Sequence, residues 1–269
     1  MPEPIISVEN LSCKSGNRHI LHNINWQVNA GEHWLVFGKN GCGKTTLLSC
    51  IAGFKPVSSG MVKVLGETYT AENIFSLRKK VGWVSSSFFD NYFKNESALQ
   101  IVLSGLFGTL NIDYDVHDRD VRSAKALLRE LHMESKMKQP FYMMSKGERQ
   151  NVLIARALIS KPKILLLDEP GTGLDIEARE YMMTSVATLA EQSKVTIIYV
   201  THYPEEIQPF MNKAMLLQNG RIYKKGDMED VIRQETLSMF FDRQVQIHKQ
   251  ENGRLQFMLE TKANALQLA

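Results

Sequence analysis

"GKNGCGKTT", residues 38–46, stands between the apolar run HWLVF and a segment with helical character at residues 45–52. Glycines at 38, 41 and 43 let the backbone curl so that successive N–H groups face inward, and the helix N-terminus adds the positive end of its dipole. Strand, glycine-rich turn and helix in this order form a phosphate-binding loop, to which Gly38, Asn40, Gly41, Cys42, Gly43 and Thr46 contribute the wall. In that geometry Lys44 reaches the β- and γ-phosphates and Thr45 places its hydroxyl on Mg²⁺. A glycine-rich turn with no ligand is the competing reading, and the strand–helix setting argues against it.

Outward along the chain, "ILLLDEP", residues 164–170, supplies a counterpart. An apolar strand that ends in two carboxylates aims Asp168 at the metal and leaves Glu169 near the position of an attacking water. Buried acids without a cation are costly, so such a pair is a poor structural accident, although alone it could be a strand end at the surface.

Both motifs suit any P-loop NTPase. The GTPase branch needs an NKxD contact to guanine, and the nearest string, NKAM at residues 212–215, lacks the aspartate. No compact arginine-rich lid of the nucleoside-kinase type is present.

"MSKGERQ", residues 144–150, decides the branch. It precedes the helical segment NVLIARALI and the Asp168 strand, and the order P-loop, helical insert, SKGE, LLLDEP, GTGLD and VTH resembles the ATP-binding cassette (ABC) ATPases over roughly residues 5–230. The resemblance implies an α/β fold, a RecA-like core with an N-terminal antiparallel β-subdomain and a helical insert. It implies ATP and Mg²⁺ as cofactors, and two cassettes paired head to tail, each ATP clamped between one P-loop and the partner's Ser145 and Gly147. His202 matches the family's switch histidine, which would touch the γ-phosphate, and Asp175 matches a loop that contacts the opposite site. Glu169 is the general base implied, with Lys44 and His202 beside it. The implied role is the ATP-hydrolysing subunit of an ABC transporter with a transmembrane permease as partner. A soluble ABC ATPase uncoupled from transport, or a nucleotide-binding regulatory module, are the alternatives. Ser145 with Glu148 also spells a capping box, and Asp175 an N-cap. Lys146 stands where the family keeps a glycine, with room for its side chain to point outward.

The hydrophobic pattern divides the chain in the same way. IISVENL, INWQV, HWLVF and MVKVLG read as strands; ESALQIVLSGLF, VRSAKALLRELHM (after the expected N-cap Asp118) and GERQNVLIARALI read as helices. KILLLDEP and VTIIYVTH are continuous apolar runs, as in strands buried on both faces of a parallel sheet, and AMLLQNGRIYKKG reads as a hairpin turning at Asn219-Gly220. The resulting division is one cassette over residues 1–235, with core and β-subdomain at 1–86 and 161–235 and the helical subdomain at 87–160. Residues 236–269 form an appendage in which VQIHK and RLQFML make a second hairpin about Asn252-Gly253.

Composition sets outer limits. A hydrophobic fraction of 43% supports a sizeable core, and a net charge of +3 is too mild for a nucleic-acid groove. Three cysteines without CxxC spacing suit a reducing compartment, and no apolar run reaches about eighteen residues. The expectation is a cytoplasmic protein, peripheral on the inner face of the membrane through its partner.

Two positions depart from the family pattern. Ser15 stands where an aromatic commonly stacks on adenine, leaving Arg18 or His19 as substitutes. Ser86, in VGWVSSSFFDNYF, stands where a glutamine usually touches Mg²⁺ and the attacking water; serine is shorter, so a water fills the gap or coupling runs differently. The aromatics that follow, Phe88, Phe89, Tyr92 and Phe93, either line a groove for a membrane subunit or form the core of the insert. Cys42, at a helix N-terminus, is either a reactive thiolate that gates ATP binding or a small residue at a permissive position.

Overall fold

The computed structural model describes residues 3–110, 115–251 and 253–260. Two long strands, β1 (Ile6–Ser15) and β2 (Arg18–Val28), pair antiparallel and bury Ile24, Trp26 and Val28 on one face, as their alternation predicts. Next come β3 (Trp34–Phe37), α1 (Lys44–Ile51), β4 (Ser59–Val64) and the short β5 (Glu67–Thr68). The antiparallel sheet has the order β2-β1-β4-β5.

Then follow α2 (Ile74–Lys80), β6 (Val81–Ser85), the one-turn α3 (Ser86–Phe89), α4 (Ala98–Phe107), α5 (Asp118–Glu130) and α6 (Lys146–Leu158). Gly108, left-handed at φ 66°, ends α4. The core resumes with β7 (Ile164–Asp168), α7 (Ile176–Gln192), β8 (Thr196–Thr201), β9 (Lys213–Gln218) and β10 (Arg221–Asp227). The chain continues through α8 (Met228–Val231), α9 (Gln234–Phe241), β11 (Val245–Lys249) and β12 (Leu255–Leu259).

The second sheet has the order β10-β9-β3-β8-β7-β6, parallel except for the β9–β10 hairpin. Every residue of β3, β6, β7 and β8 is buried, which is why KILLLDEP and VTIIYVTH read as continuous apolar runs. Parallel order brings the C-terminal ends of β3, β7 and β8 to one edge, and the loops that carry Lys44, Glu169 and His202 leave from that edge.

Local differences from expectation have local causes. α1 begins at Lys44, one residue early, with Gly43 at its cap. His117, in extended conformation, caps α5; Asp118 therefore lies in the first turn, where its charge meets the positive end of the helix dipole. The two-residue turn at Asn219-Gly220 closes β9 onto β10 with both residues left-handed, at φ 49° and 71°. The appendage does form a hairpin, Val245 opposite Leu259, although Asn252 of its expected turn lies outside the described residues. The boundary expected after residue 235 falls inside α9, whose Phe241 packs edge-on against Phe37 of β3. Arg254 grips Glu180 of α7 with two 2.6 Å hydrogen bonds, so the hairpin is fastened to the core. Among the described residues no helix is long and apolar enough to cross a membrane.

Candidate active site

The phosphate-binding loop is shaped by its glycines. Gly43 caps α1 at φ 108°, a conformation an L side chain rarely adopts. Lys44 is 4% exposed, and its Nζ donates to the carbonyls of Gly38 (2.7 Å) and Lys39 (3.1 Å) while pairing with Glu169 Oε1 at 3.1 Å. The loop thus holds its lysine at the end of β7.

At that end, Asp168 is buried. Its Oδ2 accepts from the Ser85 hydroxyl at 2.7 Å, and its Oδ1 has no hydrogen-bond partner. Burial pushes its carboxyl up to about 6, with the Ser85 and Thr45 hydroxyls offsetting part of the cost. A buried carboxylate oxygen without a donor, beside a threonine hydroxyl, fits a hard divalent cation. Glu169 follows at φ 50°, a left-handed backbone costing on the order of 1–3 kcal/mol for such a residue. That turn carries its Oε1 between Lys44 Nζ and His202 Nδ1, the latter 3.2 Å away without hydrogen-bond alignment. A cavity of about 240 Å³ opens here, lined by Thr45, Ser86, Ser87, Lys146, Asp168 and Glu169 among others.

Ser145, Gly147 and Asp175 are built differently. Ser145 and Glu148 complete the capping box of α6: the hydroxyl accepts from Glu148 N–H at 3.2 Å, and the carboxylate accepts from Ser145 N–H at 2.8 Å. Asp175 Oδ1 accepts from Ala178 N–H at 2.8 Å and caps α7. A Cβ on Gly147 would lie 3.6 Å from Leu174, so the two helix starts are neighbours. Lys146 does not point away: its stem lies against Gly173 and it walls the same cavity as Glu169.

Residues 21–172 match the ABC transporter family. The chain belongs to the ABC transporter ATP-binding family. It is 35% identical to an uncharacterized ABC transporter ATP-binding protein, YlmA, of Bacillus subtilis, over 90% of this chain and 93% of that one. Its fold resembles a solved transporter described as of the metal-chelate type, in an inward-facing conformation (TM-score 0.75, 28% identity, 97% of this chain and 99% of that one). It also resembles a bacterial ABC transporter cassette solved as a dimer (TM-score 0.72, 25% identity, 83% of this chain and 99% of that one). The protein is the ATP-binding, ATP-hydrolysing subunit of an ABC transporter.

In this ABC cassette the departures resolve one by one. Strand β6 ends at Ser85, which pairs in register with Asp168; Ser86 opens α3 and gives its hydroxyl to Gln150 Oε1 at 2.8 Å. Ser86 therefore lines the cavity but does not turn to Asp168; Ser85 does, because its in-register pairing with Asp168 puts both side chains on the same face of the sheet. Phe89 and Phe93 are buried and stacked at 5.7 Å, with the Arg156 guanidinium 4.6 Å above Phe89, and Phe88 packs on Trp83 at 4.5 Å. They are core at the seam of sheet and insert, and only Tyr92, 52% exposed, faces outward. Burial raises the Cys42 thiol, with Lys44 offsetting part of the effect, which favours the small-residue reading over the reactive thiolate. Ser15 and Arg18 are exposed partners across the β1–β2 turn, and His19 stacks on His22 at 5.3 Å.

Three participants were not legible in the sequence: Ser85, Gln150 and Glu206. Glu206 is fully buried, accepts from the Thr201 hydroxyl at 2.6 Å, and sits where any Cβ on Gly171 would fall 2.1 Å from its Oε1. Its Oε2 is held by Thr201 and Tyr199, and its Oε1, without a hydrogen-bond partner, lies against the backbone of Gly171 in the loop before Asp175. The string YPEE reads as an exposed acidic turn, and nothing in it marks which glutamate goes inside.

Proposed function

We propose that Glu169 is the general base, that Lys44 and His202 bind the γ-phosphate, and that Thr45 and Asp168 hold Mg²⁺. The observation that carries this reading is Glu169 Oε1 between Lys44 Nζ and His202 Nδ1, at 3.1 and 3.2 Å. A carboxylate next to two phosphate-binding groups lies where a water in line with the γ-phosphate would give up its proton. Lys44 Nζ exchanges its carbonyl partners for phosphate oxygens, and the inward N–H groups of residues 38–46 hold the rest of the triphosphate. When bound, Mg²⁺ neutralises charge on the phosphate oxygens; Asp168 Oδ1 and the Thr45 hydroxyl are the groups suited to it.

The second half of the site comes from another copy. Ser145 and Gly147 offer a hydroxyl and N–H groups at the start of α6, an anion-binding arrangement suited to the partner's γ-phosphate. The likeness to a dimeric cassette supports head-to-tail pairing, with Asp175 at the seam. A permease subunit then holds the pair at the inner face of the membrane, as the likeness to a solved transporter suggests. Glu169→Gln is the test: it is expected to bind ATP and pair, yet lose turnover by roughly 10² to 10⁴-fold. Wild-type hydrolysis by that variant would remove Glu169 from the role of base.

A further inference from the structure

The residues on either side of His202 are tied together by one hydroxyl. Thr201, the last residue of β8, accepts at Oγ1 from the Tyr203 N–H at 3.0 Å and donates from the same atom to Glu206 Oε2 at 2.6 Å. The Tyr199 hydroxyl donates to that carboxylate oxygen at 3.3 Å, from two residues back on the same face of β8. The Glu206 N–H donates to the Tyr203 carbonyl at 3.2 Å and closes the short 3-10 turn Pro204–Glu206. These bonds join residues 201, 203 and 206 around the backbone of His202 and leave its imidazole to Glu169, 3.2 Å away. The Tyr203 ring, under the Arg179 guanidinium at 5.6 Å, lies 4.0 Å from that imidazole.

Tyr199, Thr201 and Glu206 are all fully buried. Burial pushes the Glu206 carboxyl up, with the Thr201 hydroxyl offsetting part of the cost, and an apolar side chain would fill this space more cheaply. What a carboxylate oxygen supplies here is a pure acceptor. A threonine hydroxyl has one proton to give, and giving it to Glu206 turns the lone pairs of the same oxygen toward the Tyr203 N–H. We propose that Glu206, acting through the Thr201 hydroxyl, is the positioning residue that sets His202 for the γ-phosphate. The proposal rests on the reading above in which His202 binds that phosphate.

The test is nucleotide binding by the full chain, measured by calorimetry without Mg²⁺ so that ATP is not cleaved, together with kcat/KM for hydrolysis when Mg²⁺ is present. Glu206→Leu and Thr201→Val are each expected to weaken ATP binding and to lower kcat/KM about tenfold, while the affinity for ADP, which has no γ-phosphate, stays within about twofold. Thr201→Ser keeps the hydroxyl and is expected to bind ATP as the wild type does. In a His202→Ala background the Glu206→Leu change is expected to cost no further ATP affinity, because its effect runs through the imidazole. Unchanged ATP affinity in Thr201→Val, equal losses for ATP and ADP, no rescue by serine, or a further loss of about tenfold in the His202→Ala background would overturn the proposal. Should Glu206→Leu fail to fold, the valine and serine pair at residue 201 decides the matter, with Thr201→Val taking its place in the His202→Ala background. If His202→Ala itself bound and hydrolysed ATP as the wild type does, the reading of His202 would fail; if only the Glu206 and Thr201 variants were silent, the positioning alone would.

Discussion

The two halves of the ATP site are made in contrasting ways. At the edge of the parallel sheet, Lys44 and His202 each lie within 3.2 Å of Glu169 Oε1, and the buried Asp168 is bonded to Ser85. At the starts of α6 and α7, Ser145 and Asp175 are exposed, and their side chains bond only to their own helices' first turns. The first half is preorganised chemistry, with charges placed before any substrate arrives. The second, proposed to meet the partner's nucleotide, has local bonds that secure a helix end.

The sharpest test of this contrast is in rate. Glu169→Gln should reduce turnover by roughly 10² to 10⁴-fold with little change in melting temperature, because Glu169 is partly exposed and its amide analogue has the same shape. A large drop in Tm without a drop in kcat would make the first half structural and erase the distinction.

Asp168 gives the next largest effect, and its sign is fixed. Its folded pKa of about 6 lies above the ordinary 3.8, so the ionised form is disfavoured in the folded protein. Stability from this group is fully present below the unfolded value and is lost as pH rises through about 6, an effect of roughly 2–3 kcal/mol. Without nucleotide or metal, Asp168→Asn should therefore raise Tm more at pH 8 than at pH 5. Mg²⁺ dependence runs the opposite way: its binding to the wild-type protein should weaken as pH falls below about 6. Equal Tm shifts at both pH values would show that Asp168 is not held in a costly ionised state.

In the other half, Ser145→Ala should cost about 1 kcal/mol by removing the α6 cap, read by urea denaturation. It should also weaken ATP-dependent pairing, measured by light scattering. An effect on stability with pairing untouched would reduce Ser145 to a cap. The smallest effect is expected at Cys42, which is 7% exposed with a raised thiol pKa. Cys42→Ala should leave the rate of ATP binding and its response to a maleimide nearly unchanged, and protection from the reagent by this substitution would restore the thiolate switch.

What the sequence determined by itself is what depends on neighbours in the chain. Glycine spacing at residues 38–46, the capping box at Ser145 and the Asn219-Gly220 turn each follow from bonding within a few residues, and the apolar runs of β3, β7 and β8 are visible as consecutive residue types. Their order along the chain was enough to recognise the family. Tertiary structure decided whatever depends on distant segments sharing a face. Glu169 meets Lys44 and His202 because parallel strands deliver three separate loops to one edge. Which serine touches Asp168 depended on register: Ser85 pairs with Asp168 across β6 and β7, so both side chains share one face of the sheet, while Ser86, in the turn of helix that follows, gives its hydroxyl to Gln150. The aromatic run went inside for the same kind of reason. Phe89 and Phe93 both lie under Arg156 of α6 across the seam between sheet and insert, and a packing partner so far away in sequence leaves no local signal.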